Sequence, residues 1–303
     1  MEPNWALARK RQTLIERARI VQTIRAFFID RDFLEVETPH RIPANAPEEH
    51  IDAVSSDSWF LHTSPELCMK RLLAAGYPRL FQICRCWRQG ERGRRHLPEY
   101  TMLEWYRAET DYHSLMDDCE KLLQQLVPTG KINWQGQEIT LSAPWERLSV
   151  AEAFSLYSET GVEAALQNGT FDEIMALHIE PQLGRSRPTF LIEYPAQCAA
   201  LARRKPGKPA VAERFELYIA GLELANAFSE LTDAQEQRAR FEQAEQARRA
   251  AGKTPYPSPE KFLAELTAMP NSAGIALGID RLVMLLTASA AIDEVVAFTP
   301  EDL

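Results

Sequence analysis

Apolar side chains return at helical intervals near the start of the chain. Leu14, Ile15, Ala18, Val21, Ile24, Phe27 and Phe28 fall on one stripe, which predicts an amphipathic helix over about residues 5–32. Residues 33–38 then alternate as a short strand that stops at Pro39. The polar, proline-containing stretch 43–57 predicts a loop. Residues 59–62 predict another strand. Ser64-Pro65-Glu66 sets a capping residue before a proline at a first helical position, so a helix follows over 67–75. Residues 79–87 and 100–106 both alternate with period two around an arginine-rich loop. They predict a long antiparallel hairpin with a basic tip.

Further along, residues 112–126 read as a helix and 131–141 as a hairpin turning at Gln135-Gly136. Several short helices are predicted over 148–180, then a strand over 189–194. Residues 233–251 are so rich in charge that a solvated helix explains them without any function. A strand over 273–277, a helix over 278–286 and an edge or closing strand over 294–298 finish the chain. One stretch stays ambiguous. Glu216, Glu223 and Glu230 recur at a spacing that aligns them on a helix, yet Gly221 opposes a helix interior. A hairpin turning at Ala220-Gly221 would bring Glu216 and Glu223 together across two strands.

Hairpins separated by helices, without a strand–helix–strand rhythm, predict the α+β class: an antiparallel sheet flanked by helices. The expected organisation is one domain over 1–303 with a helical insertion near 148–187.

Composition narrows the function. With 303 residues, 45% of them hydrophobic, the chain can bury a sizeable core. A formal charge of -9 argues against a protein that coats nucleic acid. The five cysteines are irregularly spaced. Cys84 and Cys86 would share a strand face, but no histidine cluster stands beside them in the sequence, so free thiols in a reducing cytoplasm are expected rather than zinc. Neither a signal core nor a run long enough to span a bilayer is present, so no membrane partner is expected.

The phosphate loops and catalytic signatures built on glycine or His-Glu pairs are missing, so phosphate would have to be held by side chains. Arg85, Arg88, Arg92, Arg94 and Arg95 crowd one stretch, and Arg281 begins a helix after a glycine-bearing strand end. A guanidinium fork suits phosphate oxygens. Surface ion pairs to Glu91 and Glu99 are the bland alternative. Two carboxylates brought together at Glu216 and Glu223 would repel unless a cation such as Mg²⁺ lay between them. Glu104, between Leu103 and Trp105, is costly to bury unless a cation answers it: a bound ammonium, or an arginine from elsewhere in the chain.

RHLPEYTMLEWY (95–106), GIALGIDRLVML (274–285) and FLEVETP (33–39) resemble motifs 2, 3 and 1 of class II aminoacyl-tRNA synthetases of the lysine type. SPE (64–66) and LELANAFSELTD (222–233) are similar to their lysine-pocket segments. The resemblance runs in order from about residue 10 to the C-terminus. Lysyl-tRNA synthetases carry an anticodon-binding domain of about a hundred residues before motif 1. Few residues precede it here, which resembles the elongation factor P–lysine ligases, so no tRNA is expected as partner.

The resemblance implies an ATP-dependent enzyme that adenylates lysine or (R)-β-lysine and attaches it to elongation factor P. It implies that Arg88 holds the α-phosphate and that Arg281 lies against the adenine and reaches the γ-phosphate. Tyr100 would stack on the other adenine face, with Gln89, Gly90, Glu91, His96, Leu97, Leu224 and Gly278 around the nucleotide. Glu216 and Glu223 would bind Mg²⁺. Glu66 would take the inner amino group, and Glu230 with Tyr106 the far ammonium. Ser64, Glu104, Asn226, Phe228 and Ala276 would complete the pocket; lysyl-tRNA synthetases have glycine where Ala276 stands. Motif 2 usually reads Arg-Asn-Glu, whereas here Arg88-Gln89-Gly90 precedes Glu91. A homodimer built on the motif 1 region around Pro39 is implied as well.

Overall fold

The computed structural model describes residues 5–303. The fold is α+β: the main sheet has eight strands, with helices flanking it. It is mixed rather than wholly antiparallel, because Leu34–Glu35 pairs in parallel with Arg79–Trp87, and Glu146–Ser149 with Thr189–Ile192. The chain forms two compact units. One comprises the residues up to Thr110 with Leu231–Ser272 and Ala276–Leu303; the other is Asp111–Glu230 with Ala273–Ile275.

The first unit is organised by the hairpin of Arg79–Trp87 and Glu99–Ala108. Strand side chains alternate between faces, so its register sorts chemistry. One face carries the cross-strand pair Phe81–Trp105 and receives helix Arg11–Ile29, whose Phe28 lies 5.0 Å from the Phe81 ring and 5.1 Å from Trp105. Each such fully buried ring contributes about 1.5–3 kcal/mol. The other face carries Gln82 opposite Glu104, Cys84 opposite Met102 and Cys86 opposite Tyr100. Polar and ionisable groups thus share one side because the apolar core claims the alternate positions.

Helix Ile279–Leu286 buries Ile279, Leu282, Val283, Met284 and Leu285, so it is a core helix with little wet surface. Its Asp280 is buried too. One oxygen accepts the Thr101 backbone N–H at 2.7 Å, and the other pairs with Arg17 at 2.6 Å. That clamp fixes the neighbour, Arg281.

In the second unit, Asp111 caps helix Tyr112–Leu126 by accepting the His113 N–H. Residues 131–141 form the expected hairpin, Lys131–Trp134 with Gln137–Thr140. The short helices between Val150 and Gln182 close over Val150, Phe154, Phe171, Ile179 and Leu183. The ambiguous stretch is a hairpin, Arg214–Ile219 with Leu222–Ser229. Ala220 and Gly221 both take positive φ (58° and 68°), the two-residue turn whose twist matches the flanking strands.

Three sequence expectations need correction. Residues 294–298 form no strand: Ile292–Glu294 is a short 3₁₀ turn. The carbonyls that a strand would pair go to side chains, Val295 O to Arg17 and Ala297 O to Lys10. Helix Ala234–Ala250 is not merely solvated. Gln237, Phe241 and Arg248 are buried, and Arg248 is wholly excluded from solvent. Finally, a histidine does accompany Cys84 and Cys86: His62, from a neighbouring strand end, lies against both sulfurs.

Candidate active site

In the first unit, Arg88 follows directly from the strand, its N–H still bonded to Pro98 O at 2.9 Å. The guanidinium lies 5.2 Å from the Tyr100 ring centre. Gly90 takes φ +77°, a conformation glycine adopts without strain, and no neighbour crowds that position. The turn brings Glu91 back to Arg88 at 3.5 Å. A glycine turn thus sets Glu91 beside Arg88.

Arg281 reaches the same loop. It donates to Arg95 O at 3.3 Å and to His96 Nε2 at 2.6 Å. Burial depresses the His96 pKa, and Arg281 and Arg88 add to the effect, while Glu91 opposes it. The two arginines predicted to grip one triphosphate thus both act on one neutral imidazole. Leu97 is buried beneath the loop, and Gln89 N–H donates to Asp52 O at 2.6 Å. Arg92 is directed elsewhere, to Asp293 at 2.8 Å and Glu301 at 3.0 Å. Arg85 pairs loosely with Glu99 at 3.7 Å. The two ion pairs named in the sequence alternative are thus those of Arg85 with Glu99 and of Arg88 with Glu91, and Arg92 pairs with other acids.

Further along the same sheet face lie two acids, Glu104 buried and Glu66 half-buried. Glu104 is 1% exposed and accepts from Ser64 Oγ at 2.6 Å and from Tyr106 OH at 2.8 Å. Its partners among the described residues are hydroxyls, not an arginine. Burial pushes its pKa well above the usual carboxylate range, and the Glu66 charge adds to this. Ser64 Oγ also accepts the Glu66 backbone N–H at 3.0 Å, so one hydroxyl links the Glu104 carboxyl to the Glu66 backbone. Lys70, itself 1% exposed, donates to Glu66 Oε1 at 2.5 Å. Tyr100 donates its hydroxyl to Thr63 O at 3.0 Å, and burial raises its pKa well above normal. Ala276 packs against Cys84, Cys86 and Met102 on this face. Gly278 caps the helix that carries Arg281, and a Cβ there would meet that side chain no closer than 3.9 Å.

In the second unit the hairpin register sets Glu216 opposite Asn226, and Glu223 opposite Tyr218. The two glutamates are diagonal rather than directly facing. Glu216 is well engaged: Oε1 accepts from Arg214 at 2.5 Å, and Oε2 from Tyr194 and Tyr218, each at 2.6 Å. Burial and the adjacent Glu216 charge raise both tyrosine pKa values well above normal. Arg214 also donates to Asn226 Oδ1 at 3.2 Å and lies over the Tyr194 ring. Glu223 is half-buried and Leu224 buried. Phe228 packs on Ala199, Ala202 and Ala212, and Glu230 is 2% exposed, its backbone bridged to Ala202.

A model of the class II tRNA synthetases (D, K and N) matches residues 5–302. The chain belongs to this family. Among its curated relatives is the elongation factor P–(R)-β-lysine ligase of Erwinia tasmaniensis, 40% identical over 98% of this chain and 97% of that protein. Proteins of the same name from Edwardsiella ictaluri (40%) and Klebsiella pneumoniae (41%) align over 97% or more of both chains. No helix among the described residues is long and apolar enough to cross a membrane.

Within this synthetase fold, sequence reasoning missed Lys70, Asp280 with Arg17, and His62. Lys70 had a usable signal: a lysine one helical turn after Glu66. Asp280 directly precedes the singled-out arginine. The Arg17 and His62 partnerships depend on distant segments and leave no local pattern.

Proposed function

We propose that this protein is an ATP-dependent, AMP-forming ligase that adenylates lysine or (R)-β-lysine and passes the acyl group to a lysine side chain of elongation factor P. The observation that carries the reading is Glu104: a buried carboxylate answered by two hydroxyls, beside Glu66, on the sheet face that also carries Arg88 and Tyr100. A buried acid in this setting favours an ammonium ligand. The names of the relatives agree with it.

In the proposed roles, Arg88 holds the α-phosphate and Arg281 the γ-phosphate, with the adenine between Arg281 and Tyr100. The substrate carboxylate attacks the α-phosphorus and pyrophosphate departs. Arg88 and Arg281 stabilise the charge that gathers on the phosphoryl oxygens. Glu66 takes the inner amino group, with Lys70 surrendering that carboxylate as the substrate arrives. Glu230 and Tyr106 take the far ammonium. Gln89, Gly90, Glu91, His96, Leu97, Leu224 and Gly278 line the nucleotide; Ser64, Asn226, Phe228 and Ala276 complete the amino acid's contacts.

Mg²⁺ belongs to this reading, and the oxygen donors of Glu223 and Glu216 have the right hardness for it. At Glu216 three acceptor positions are taken by Arg214, Tyr194 and Tyr218, which leaves one on Oε1 for an ion. Mg²⁺ would screen the phosphate charge. Dimer formation around Pro39 is also part of the proposal, supported by the exposed Ile29, Leu34 and Trp59.

Pyrophosphate exchange with α-lysine and with (R)-β-lysine, followed by transfer to elongation factor P and to tRNA, tests the reading. Exchange with one amino acid and transfer to the protein are expected, with Arg88→Ala abolishing exchange and Glu230→Ala mainly raising the amino acid KM. Exchange with neither amino acid would overturn the activity, and transfer to tRNA alone would overturn the acceptor.

A further inference from the structure

His62, Cys84 and Cys86 form a buried cluster that the proposed chemistry does not use. Cys84 and Cys86 stand two apart on one strand and so point to the same face. Their sulfurs are 3.9 Å apart. His62 Nε2 lies 4.0 Å from Cys84 Sγ and 3.9 Å from Cys86 Sγ. The three donor atoms make a nearly equilateral triangle. With metal–sulfur bonds of about 2.3 Å and a metal–nitrogen bond of about 2.0 Å, donor atoms stand about 3.5–3.8 Å apart around a tetrahedral ion and about 3.7–4.0 Å apart around a trigonal one. The sulfurs already stand at that spacing, and the imidazole has only a few tenths of an ångström, roughly, to close.

We propose that His62, Cys84 and Cys86 bind one thiophilic divalent cation, Zn²⁺ in the first instance. Two thiolates and a neutral imidazole cancel the ion's charge, so the occupied cluster is a neutral unit that tolerates burial. Binding exchanges the two thiol protons for the ion. His62 Nε2 now shares its proton with Arg85 O at 2.7 Å. In the bound form that nitrogen turns to the metal and the ring keeps its one proton on Nδ1. Cys84 also lines a groove of about 590 Å³, together with Glu37, Thr38, His40, Gln82 and Arg85. Sulfur and nitrogen donors separate this site from the oxygen-ligated Mg²⁺ of the proposed reaction.

The test uses the full chain, stripped with a chelator and held in a phosphine reductant. Co²⁺ serves as the spectroscopic probe and Zn²⁺ as its competitor. One equivalent of Co²⁺ is expected to give a thiolate-to-metal charge-transfer band that Zn²⁺ bleaches and excess Mg²⁺ leaves untouched. The band is expected to disappear in Cys86→Ser and to persist in Cys198→Ser. Absence of the band in the unmodified protein overturns the proposal, and this arm does not depend on any variant folding. Persistence of the band in a Cys86→Ser protein of native circular dichroism overturns it equally.

Discussion

Arg248 ties the segment beside Arg88 to a distant helix. Its guanidinium, excluded from solvent, donates to Glu48 O at 2.8 Å, Ile51 O at 2.7 Å and Thr254 O at 3.0 Å. It pairs with Asp52 at 3.0 Å and lies 4.1 Å from the centre of the Tyr256 ring. Asp52 O in turn receives the Gln89 N–H, directly after Arg88. Replacing Arg248 with methionine keeps most of the volume and removes every one of these donors. Charged hydrogen bonds contribute about 1.5–3 kcal/mol each, so the gross loss over three carbonyls is about 4.5–9 kcal/mol. Relief of the guanidinium's desolvation returns several kcal/mol. Asp52 is more than a third exposed and keeps Lys253 at 3.1 Å, so the lost ion pair adds little; the carbonyls left without a donor set the cost of Arg248→Met, about 3 kcal/mol net. Urea unfolding reads the total. Hydrogen exchange over 48–54 and 88–92 reads the local part, and both segments are expected to exchange faster. The KM for ATP is expected to rise as Arg88 loses its anchored neighbour, with Arg248→Lys intermediate. A stability loss under about 1 kcal/mol, with unchanged exchange at 88–92, would refute the tether.

Three further outcomes follow from the site. Because burial raises the Glu104 pKa, the folded state holds a proton that the unfolded chain releases above about pH 4.3. The resulting stability is full below that pH and is lost as pH rises towards the folded pKa, by up to about 1.4 kcal/mol per unit; Glu104→Gln should flatten this slope in denaturation curves recorded from pH 4 upward, and a slope identical to wild type would place the titration elsewhere. Gly278→Ala meets only ordinary contacts with Arg281, so it should cost no more than about 1 kcal/mol of stability yet raise the ATP KM, whereas an unchanged KM would mean no nucleotide approaches there. Tyr100→Phe keeps the ring but takes the donor from Thr63 O, and should destabilise by about 1 kcal/mol with adenylation retained; abolished adenylation would show that the hydroxyl does more than hold that carbonyl.

Much of the fold was legible because its signals are local. Turn chemistry at Gln135-Gly136 marked one hairpin, and the arginine tip between alternating strands marked another. The stretch from Arg214 to Ser229 resisted because Arg214–Ile219 buries five of its six residues and a bulge in the pairing interrupts the alternation of Leu222–Ser229, so no clean period-two contrast competes with the helical spacing of the glutamates. Residues 294–298 misled for the opposite reason: a short apolar run reads as a strand, but Lys10 and Arg17, distant in sequence, take its carbonyls.

The candidate site divides along the same line. Arg88 and Arg281 stood out because guanidinium density is visible in one dimension. What disciplines them is not: His96 receives Arg281, Asp280 is clamped by Arg17, and Lys70 occupies Glu66. Charge on a helix suggests solvent, and for most of Ala234–Ala250 that inference is sound. It fails at Arg248 because three carbonyls and one carboxylate gather where a single donor-rich side chain can serve them all. Register explains the remainder. Once Phe81 and Trp105 are committed to the apolar core, the alternate positions Gln82, Cys84, Cys86, Glu104 and Tyr106 must face the other way. A shift of one residue would send Glu104 into the phenylalanine cluster at a cost of several kcal/mol for an unanswered carboxylate. The packing that stabilises the sheet therefore also gathers the site's ionisable groups on one surface.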